Sequence, residues 1–118
     1  MAAVALGKAY GWTFYQDAVA ASAGATTVLV AAVTEKRIRL LHLWGKADVA
    51  GTIVLKDGST ARTGIMNLAA TGGPHGAGPI PAADVNFACV AQASAGAALN
   101  LTTVTCAFNG GMIYAVED

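Results

Sequence analysis

The chain has 118 residues, with seven positive side chains, seven negative side chains and a formal net charge of zero. This length fits one domain. The charge balance excludes a basic nucleic-acid binder, because neutralising phosphates requires an excess of Lys and Arg. Hydrophobic types make up 55% of the residues and charged types 12%, which is the reverse of a disordered composition. So sparsely charged a surface favours association, and we expect other subunits to cover part of it.

The Ala-rich start of the chain does not fit a targeting segment. No basic region precedes it, and Lys8 and Asp17 interrupt it, which argues against a signal peptide. The apolar run at residues 18–34 is short for a membrane span and contains Ser22. We therefore expect a soluble protein that is made in a cytoplasm and has no membrane partner.

Residues 1–25 are rich in Ala and Gly, and we interpret them as an N-terminal arm or extension. From residue 26 to residue 118, β-rich runs alternate with turn signals, which predicts one domain of about eight antiparallel strands. Short strands without a convincing amphipathic helix indicate an all-β fold, an antiparallel β-sandwich that is jelly-roll-like. The predicted strands are residues 26–34, 36–44, 49–56, 59–62, 65–68, 85–92, 99–108 and 112–117.

Alternation within the second predicted strand separates an apolar face from a charged one. Its apolar face would hold Ile38, Leu40, His42 and Trp44, and the opposite face would hold Arg37 and Arg39. Between the third and fourth strands, the Asp-Gly pair at residues 57–58 predicts a tight hairpin, because both residue types tolerate the positive φ angles of a type I′ turn.

Two later segments are predicted from their apolar faces and their turn residues. Residues 85–92 and 99–108 are expected to pair as a hairpin, with Gly110 and Gly111 in the turn that follows it. Residues 72–81 contain four Gly and three Pro, so we expect a surface loop without regular structure. In one register, the hairpin of residues 85–92 and 99–108 would pair Phe87 with Phe108, Cys89 with Cys106, and Ala91 with Val104. Registers shifted by two residues would keep the same apolar face.

Few residues here could support chemistry. His42 and His75 are the two candidate general bases, and neither has a Ser, Cys or carboxylate at a catalytic spacing. Cys89 and Cys106 lack the spacing of a metal or redox site, and we expect both to be small buried side chains. We therefore predict no enzyme, no cofactor and no metal, and interpret His42 as an interior or interface imidazole.

The candidate contact residues lie in three places. The aromatic cluster Trp12, Phe14 and Tyr15 would anchor the N-terminal residues to the body or to a neighbour, the alternative being stacking on a sugar or a base. The two arginines would face solvent or form ion pairs between subunits, with Glu35, Asp84 or a partner's carboxylate. His75 would be solvent-exposed or would contact a neighbouring subunit. The predicted interface residues are Trp12, Phe14, Tyr15, Arg37, Arg39, Pro74, His75 and Pro79.

From residue 37 onward, the order of features resembles a group of small virion proteins of tailed bacteriophages. These include capsid decoration, or cement, proteins with jelly-roll-like folds that commonly sit as trimers on the outside of the head. Similar modules occur in tail appendages. The resemblance lies in residues 36–41 (KRIRLL), 51–60 (GTIVLKDGST), 63–70 (TGIMNLAA), 72–73 (GG) and 98–101 (ALNL).

The resemblance implies a structural role. We expect a decoration protein that forms a homotrimer, binds the major capsid protein on the outer surface of the phage head and stabilises the assembled shell. The alternative is a receptor- or carbohydrate-binding module of a tail appendage. That alternative requires an exposed aromatic platform with polar neighbours.

Overall fold

The computed structural model describes residues 3–69, 75–77 and 91–118. These residues form eleven β-strands and no helix, and every pair of neighbouring strands is antiparallel. The predicted all-β class is confirmed. The strands are β1 Val4–Ala9, β2 Trp12–Ala21, β3 Thr26–Val30, β4 Ile38–Ala47, β5 Gly51–Asp57, β6 Thr60–Ala61, β7 Met66–Leu68, β8 His75–Ala77, β9 Ala91–Ala93, β10 Leu99–Val104 and β11 Phe108–Glu117.

The strands form two sheets. The larger sheet has the order β1-β2-β11-β4, with β8 and β9 both paired to β4. The smaller sheet has the order β3-β10-β5, with β6 and β7 both paired to β5. The chain changes sheet at every step from β2 to β5, again between β7 and β8, and at both steps from β9 to β11. Two antiparallel sheets that pack face to face form a β-sandwich.

One hydrophobic core lies between the two sheets. The larger sheet contributes Ile38, Leu40, Phe108 and Met112, and the smaller sheet contributes Leu55, Leu99 and Leu101, all between 0% and 1% exposed. Burying a side chain of this size contributes roughly 1.5–3 kcal/mol. The predicted inward face of β4 is therefore confirmed at Ile38 and Leu40.

A β-bulge at Leu41 changes the face of the residues that follow it in β4. Tyr114 of β11 pairs with Leu40, but Ile113 pairs with His42, so Leu41 is the extra residue. Leu43 consequently points into the core, whereas His42 and Trp44 lie on the opposite face. Their predicted placement beside Leu40 is wrong, because an uninterrupted period of two cannot anticipate a bulge.

The predicted tight hairpin is present, shifted by one residue. Asp57 is the last residue of β5 and pairs with Thr60, so the two-residue loop consists of Gly58 and Ser59. Gly58 has a φ of +58°. Glycine adopts this left-handed conformation without a steric penalty.

The predicted hairpin of residues 85–92 with 99–108 does not form in the described part of the chain. Ala91 pairs with Leu40 in the larger sheet, whereas Val104 pairs with Thr52 in the smaller sheet. Two strands that are adjacent in sequence, β9 and β10, thus belong to opposite sheets. Phe87 and Cys89 lie outside the described residues. Cys106 is a free thiol and is fully buried, which confirms the predicted burial of its side chain.

Gly110 and Gly111 lie inside β11, where the sequence predicts a turn. A Cβ on Gly110 would overlap the Trp44 carbonyl oxygen, and a Cβ on Gly111 would lie 2.8 Å from Cε2 of the same tryptophan. The glycines are therefore needed for a close approach of β4 to β11.

The N-terminal residues also differ from the expected arm. Over ten residues β2 pairs with β11, and it buries Trp12, Val19 and Ala21. β1 then pairs with β2 and forms one edge of the larger sheet. Alanine occurs on both faces of β2, so the period-two signal of this strand is weak in the sequence.

Within residues 72–81, His75–Ala77 form the short strand β8. It pairs with Leu43–Gly45 of β4. The prediction that this segment holds no regular structure is therefore wrong at these three residues. None of the three is a proline, so each has the backbone donor that pairing requires.

Candidate interaction surface

The larger sheet carries a second apolar cluster on the face turned away from the core, which we call its outer face. Trp12, Leu41 and Ala115 are buried there, and Phe14 and Ile113 pack against them with partial exposure. The pairing of Phe14 with Ala115 brings β2 and β11 together, and the bulge turns Leu41 to the same side. These five residues are called the outer cluster below.

Two arginines lie against the indole ring of Trp12. The guanidinium carbon of Arg39 is 4.4 Å from the ring centroid, and that of Arg37 is 5.5 Å away. Both are within the range of a cation–π interaction. Arg39 also donates from Nε to Oε1 of Gln92 at 2.7 Å, which links β4 to β9. The structure thus brings together three of the predicted interface residues.

Arg37 forms an ion pair within its own chain. Its Nε donates to Oε2 of Glu117 at 3.0 Å, its Nη2 contacts the same oxygen, and the Glu117 backbone N–H donates to the Arg37 carbonyl at 3.0 Å. The hydrogen bond from Arg37 lowers the pKa of Glu117 and raises the pKa of the guanidinium. The carboxylate beside Arg37 is therefore Glu117, and Asp84 lies outside the described residues.

Tyr15 is separated from the other two aromatic residues. It points to the core side of the larger sheet and stacks on Tyr114, with ring centroids 5.2 Å apart and planes at 21°. Burial raises the pKa of Tyr114, and the negative charge of Asp17 raises it further by a smaller amount. Trp12 and Phe14 pack on the outer face instead, so the predicted aromatic cluster is divided between the two faces of β2.

The predicted contact residues of the 72–81 segment are described in part. His75 begins β8 and its backbone pairs with Gly45. Pro74 and Pro79 lie outside the described residues. A role for these three residues in an interface remains a prediction.

Trp44 extends the outer face toward β1 and is not among the predicted contact residues. It is 37% exposed, and its ring lies directly over Gly111. A depression of about 310 Å³ beside it is lined by Val4, Gln16, Ala18 and the two glycines of β11, among others. The sequence signal for this part of the surface is the pair Gly110 and Gly111, because glycine in a strand often marks the close approach of another backbone or a ligand.

The outer face of the smaller sheet has a different composition. Because Leu101 pairs with Leu55 in the core, the alternate residues of both strands face outward. Thr26 and Thr102 share a hydrogen bond of 2.8 Å between their hydroxyl oxygens on this face. The outward-facing residues are Thr26, Val28, Thr52, Val54, Lys56, Asn100, Thr102 and Val104.

A buried carboxylate fixes the hairpin end of the smaller sheet. Asp57 is 8% exposed, and its Oδ2 accepts hydrogen bonds from Ser94 Oγ and Arg62 Nη2, both at 2.6 Å, and from the Ser94 backbone N–H at 3.1 Å. These hydrogen bonds lower the pKa of Asp57, and the bond from the Ser94 hydroxyl has the largest effect. The arrangement joins the β5–β6 hairpin to the segment between β9 and β10.

The described part of the chain contains neither a metal-binding group of side chains nor a membrane-spanning helix. Among residues 3–69, 75–77 and 91–118, no three His, Cys, Asp or Glu side chains come together in a group that could hold a metal ion. His42 is half-buried on the outer face of the larger sheet. Nor do these residues contain a helix of the length and apolarity needed to cross a membrane.

Comparison of the chain with known protein families, with curated proteins and with solved structures finds no match. The candidate surface must therefore be interpreted from its own composition and geometry.

Proposed function

We propose that this chain is a structural virion protein that decorates the outer surface of an assembled phage head. In this role it forms a homotrimer and contacts the major capsid protein. It is made in the cytoplasm of the bacterial host. The phage assignment and the trimer come from the sequence resemblance, and the contact surface comes from the composition of the sandwich.

The difference between the two outer faces is the observation that carries the proposal. The larger sheet presents aromatic, aliphatic and arginine side chains outward, including the partly exposed Phe14 and Ile113 and the exposed Trp44. Aromatic residues and Arg are enriched in protein interfaces. The smaller sheet presents three Thr, three Val, one Asn and one Lys outward, without an aromatic residue or an Arg. We therefore assign the capsid contact to the outer face of the larger sheet.

The sparse charge supports broad contact with other protein. The chain exposes 5886 Å² and has fourteen charged side chains, so there is one for about 420 Å² of surface. Two of the acidic groups, Asp57 and Glu117, are already bound to arginines of the same chain. A surface with few strongly hydrated groups can be covered at a low desolvation cost.

Stabilisation of the head would follow from mass action. A protein that binds the assembled lattice and not its separated subunits adds its binding free energy to the stability of the lattice. In a trimer the three contacts act together, because the second and third form at a high effective concentration. This mechanism requires no catalytic group.

Sedimentation tests this proposal. The purified protein is mixed separately with expanded, undecorated heads and with host cells, and each mixture is pelleted. We expect the protein to co-sediment with heads and to raise the temperature at which they dissociate. Co-sedimentation with cells and not with heads would contradict the decoration role.

The exposed Trp44 favours a second candidate, a carbohydrate- or receptor-binding module of a tail appendage. Its indole contacts Gly111, beside the exposed side chain of Gln16. An indole face can stack on a sugar ring, and an amide can bind sugar hydroxyls. This candidate predicts that host surface polysaccharide shifts the tryptophan fluorescence of the wild type and not that of Trp44→Phe.

A further inference from the structure

The outer edge of β1 is open to another strand. All six residues from Val4 to Ala9 are exposed, with Val4 at 59% and Leu6 at 50%. In the described part of the chain, β1 pairs with β2 alone. An exposed apolar edge strand presents unpaired N–H and C=O groups, which makes it a template for pairing with another chain.

The bulge in β1 determines which residues of a second strand can lie opposite its own. Val4 pairs with Gln16 and Gly7 with Phe14, so both face the outer side of the larger sheet. Lys8 pairs with Thr13 and faces the core side, as does Ala3, which packs against the core cluster. Residues opposite each other in an antiparallel pair share a face. Pairing Val4 with Gly7 of a second copy, and Ala3 with its Lys8, satisfies this requirement.

Charge favours the same arrangement. Lys8 carries the only charge of β1 and has no ion-pair partner among the residues that the structure describes. Glu117 and Asp118 line the same 510 Å³ cavity as Lys8. However, Glu117 is bound to Arg37, and Asp118 accepts a hydrogen bond from the Thr13 hydroxyl. Lys8 is therefore available to a second molecule.

Asp17 is a carboxylate that Lys8 can reach in a second copy and not in its own. In its own chain Lys8 lies beside Thr13, four residues along β2 from Asp17, which corresponds to about 13 Å. In the paired arrangement Lys8 lies opposite Ala3 of the second copy. In the second copy, Asp17 lies on β2, one strand beyond Ala3. The α-carbon of Lys8 and the α-carbon of this Asp17 are therefore about 10 Å apart. The lysine and aspartate side chains together can span that distance over the small methyl group of alanine.

We propose that β1 pairs antiparallel with β1 of a second copy of this chain about a two-fold axis. The pairing would join the two larger sheets into one, bury Val4 and Leu6, and form one Lys8–Asp17 ion pair at each end. A self-complementary two-fold contact is the commonest form of protein association. This contact is separate from a three-fold one. If the chain is a homotrimer, as proposed above, the β1 contact links neighbouring trimers. If the chain does not form a trimer, the same contact joins two chains into a dimer.

The experiment is sedimentation velocity over a range of protein concentrations. Leu6→Lys places two like charges near the axis, and we expect it to abolish this association, so that the mass stays at that of the trimer, or of the monomer where no trimer forms, at every concentration. Ile65→Lys is the matched control, because Ile65 is 71% exposed outside β1. This control should leave the mass unchanged. A wild type that does not associate, or a Leu6→Lys variant that associates like the wild type, would overturn the proposal.

A charge exchange tests the register separately. Asp17→Lys should weaken the association about tenfold, and Lys8→Glu combined with Asp17→Lys should restore it. Equal weakening by the single and double variants, in chains that unfold at the same temperature, would contradict the Lys8–Asp17 contact. A wild type that binds heads but does not associate through β1 would overturn this inference alone. A wild type that associates through β1 but does not bind heads would overturn the proposed function alone.

Discussion

The outer faces of the two sheets have the same backbone architecture and different side chains. On the larger sheet, Trp12 and Ile113 form an apolar cluster beside two arginines. The outer face of the smaller sheet consists of Thr, Val, Asn and Lys residues, among them Thr102 and Val104. Folding requires the inner faces to be apolar, but it places no such requirement on an outer face. The difference therefore points to a contact function for the larger sheet.

The largest effect on stability is expected at Trp12. Replacing it with Ala removes the indole that packs against Leu41 and both arginines, and we expect a loss of about 3 kcal/mol in the free energy of unfolding. Val104→Ala on the outer face of the smaller sheet should cost less than about 0.5 kcal/mol, because Val104 is 55% exposed. Urea unfolding measures both values. Equal losses would remove the distinction between the two outer faces.

A smaller loss is expected at Gly110, where β11 approaches β4. The Cβ of Gly110→Ala would overlap backbone atoms of Trp44 and Gly45, so the two strands must separate. We expect a loss of about 2 kcal/mol and increased exposure of Trp44, detectable by its fluorescence. Gly64→Ala is the control, since a Cβ on Gly64 would meet no atom within 4 Å and the φ of this glycine is not positive. A loss no greater than that of the control would show that the close approach is dispensable.

The smallest of the three effects is expected at Asp57. Replacement of this carboxylate with Asn should cost about 1.5 kcal/mol at pH 7, because the bonds from Ser94 and Arg62 lose a charged acceptor. The pKa of Asp57 in the folded state lies below its ordinary value of 3.8. Its contribution is therefore complete above that value and decreases as the pH falls through the folded-state pKa. The stability difference between wild type and Asp57→Asn should shrink in acid, and a difference that grows would contradict this assignment.

The sequence predicts the local features of the fold better than its long-range pairing. The hairpin at Asp57 and Gly58 and the buried positions of Ile38 and Leu40 depend on neighbouring residues, and these predictions are confirmed. The separation of Ala91 from Val104 depends on which layer each strand enters. That choice is determined by contacts between residues far apart in the chain, which alternation alone does not encode.

The candidate surface can be predicted in part for similar reasons. Residue type alone identifies Trp12, Phe14 and the two arginines, and the structure places them together. Alternation assigns Trp44 to the core, but the bulge at Leu41 reverses the face of the later residues of β4. Sequence proximity groups Tyr15 with Phe14, although successive residues of a strand point to opposite faces.

The most direct test of the account compares one charged substitution on each outer face. Ile113→Lys and Thr102→Lys both introduce a lysine into a central strand at a partly exposed position. Their binding to expanded, undecorated heads is measured by co-sedimentation at equal protein concentration, after equal unfolding temperatures have been verified. We predict that Ile113→Lys weakens binding at least about tenfold and that Thr102→Lys binds like the wild type. Equal binding of the two variants would contradict the assignment of the larger sheet as the contact face.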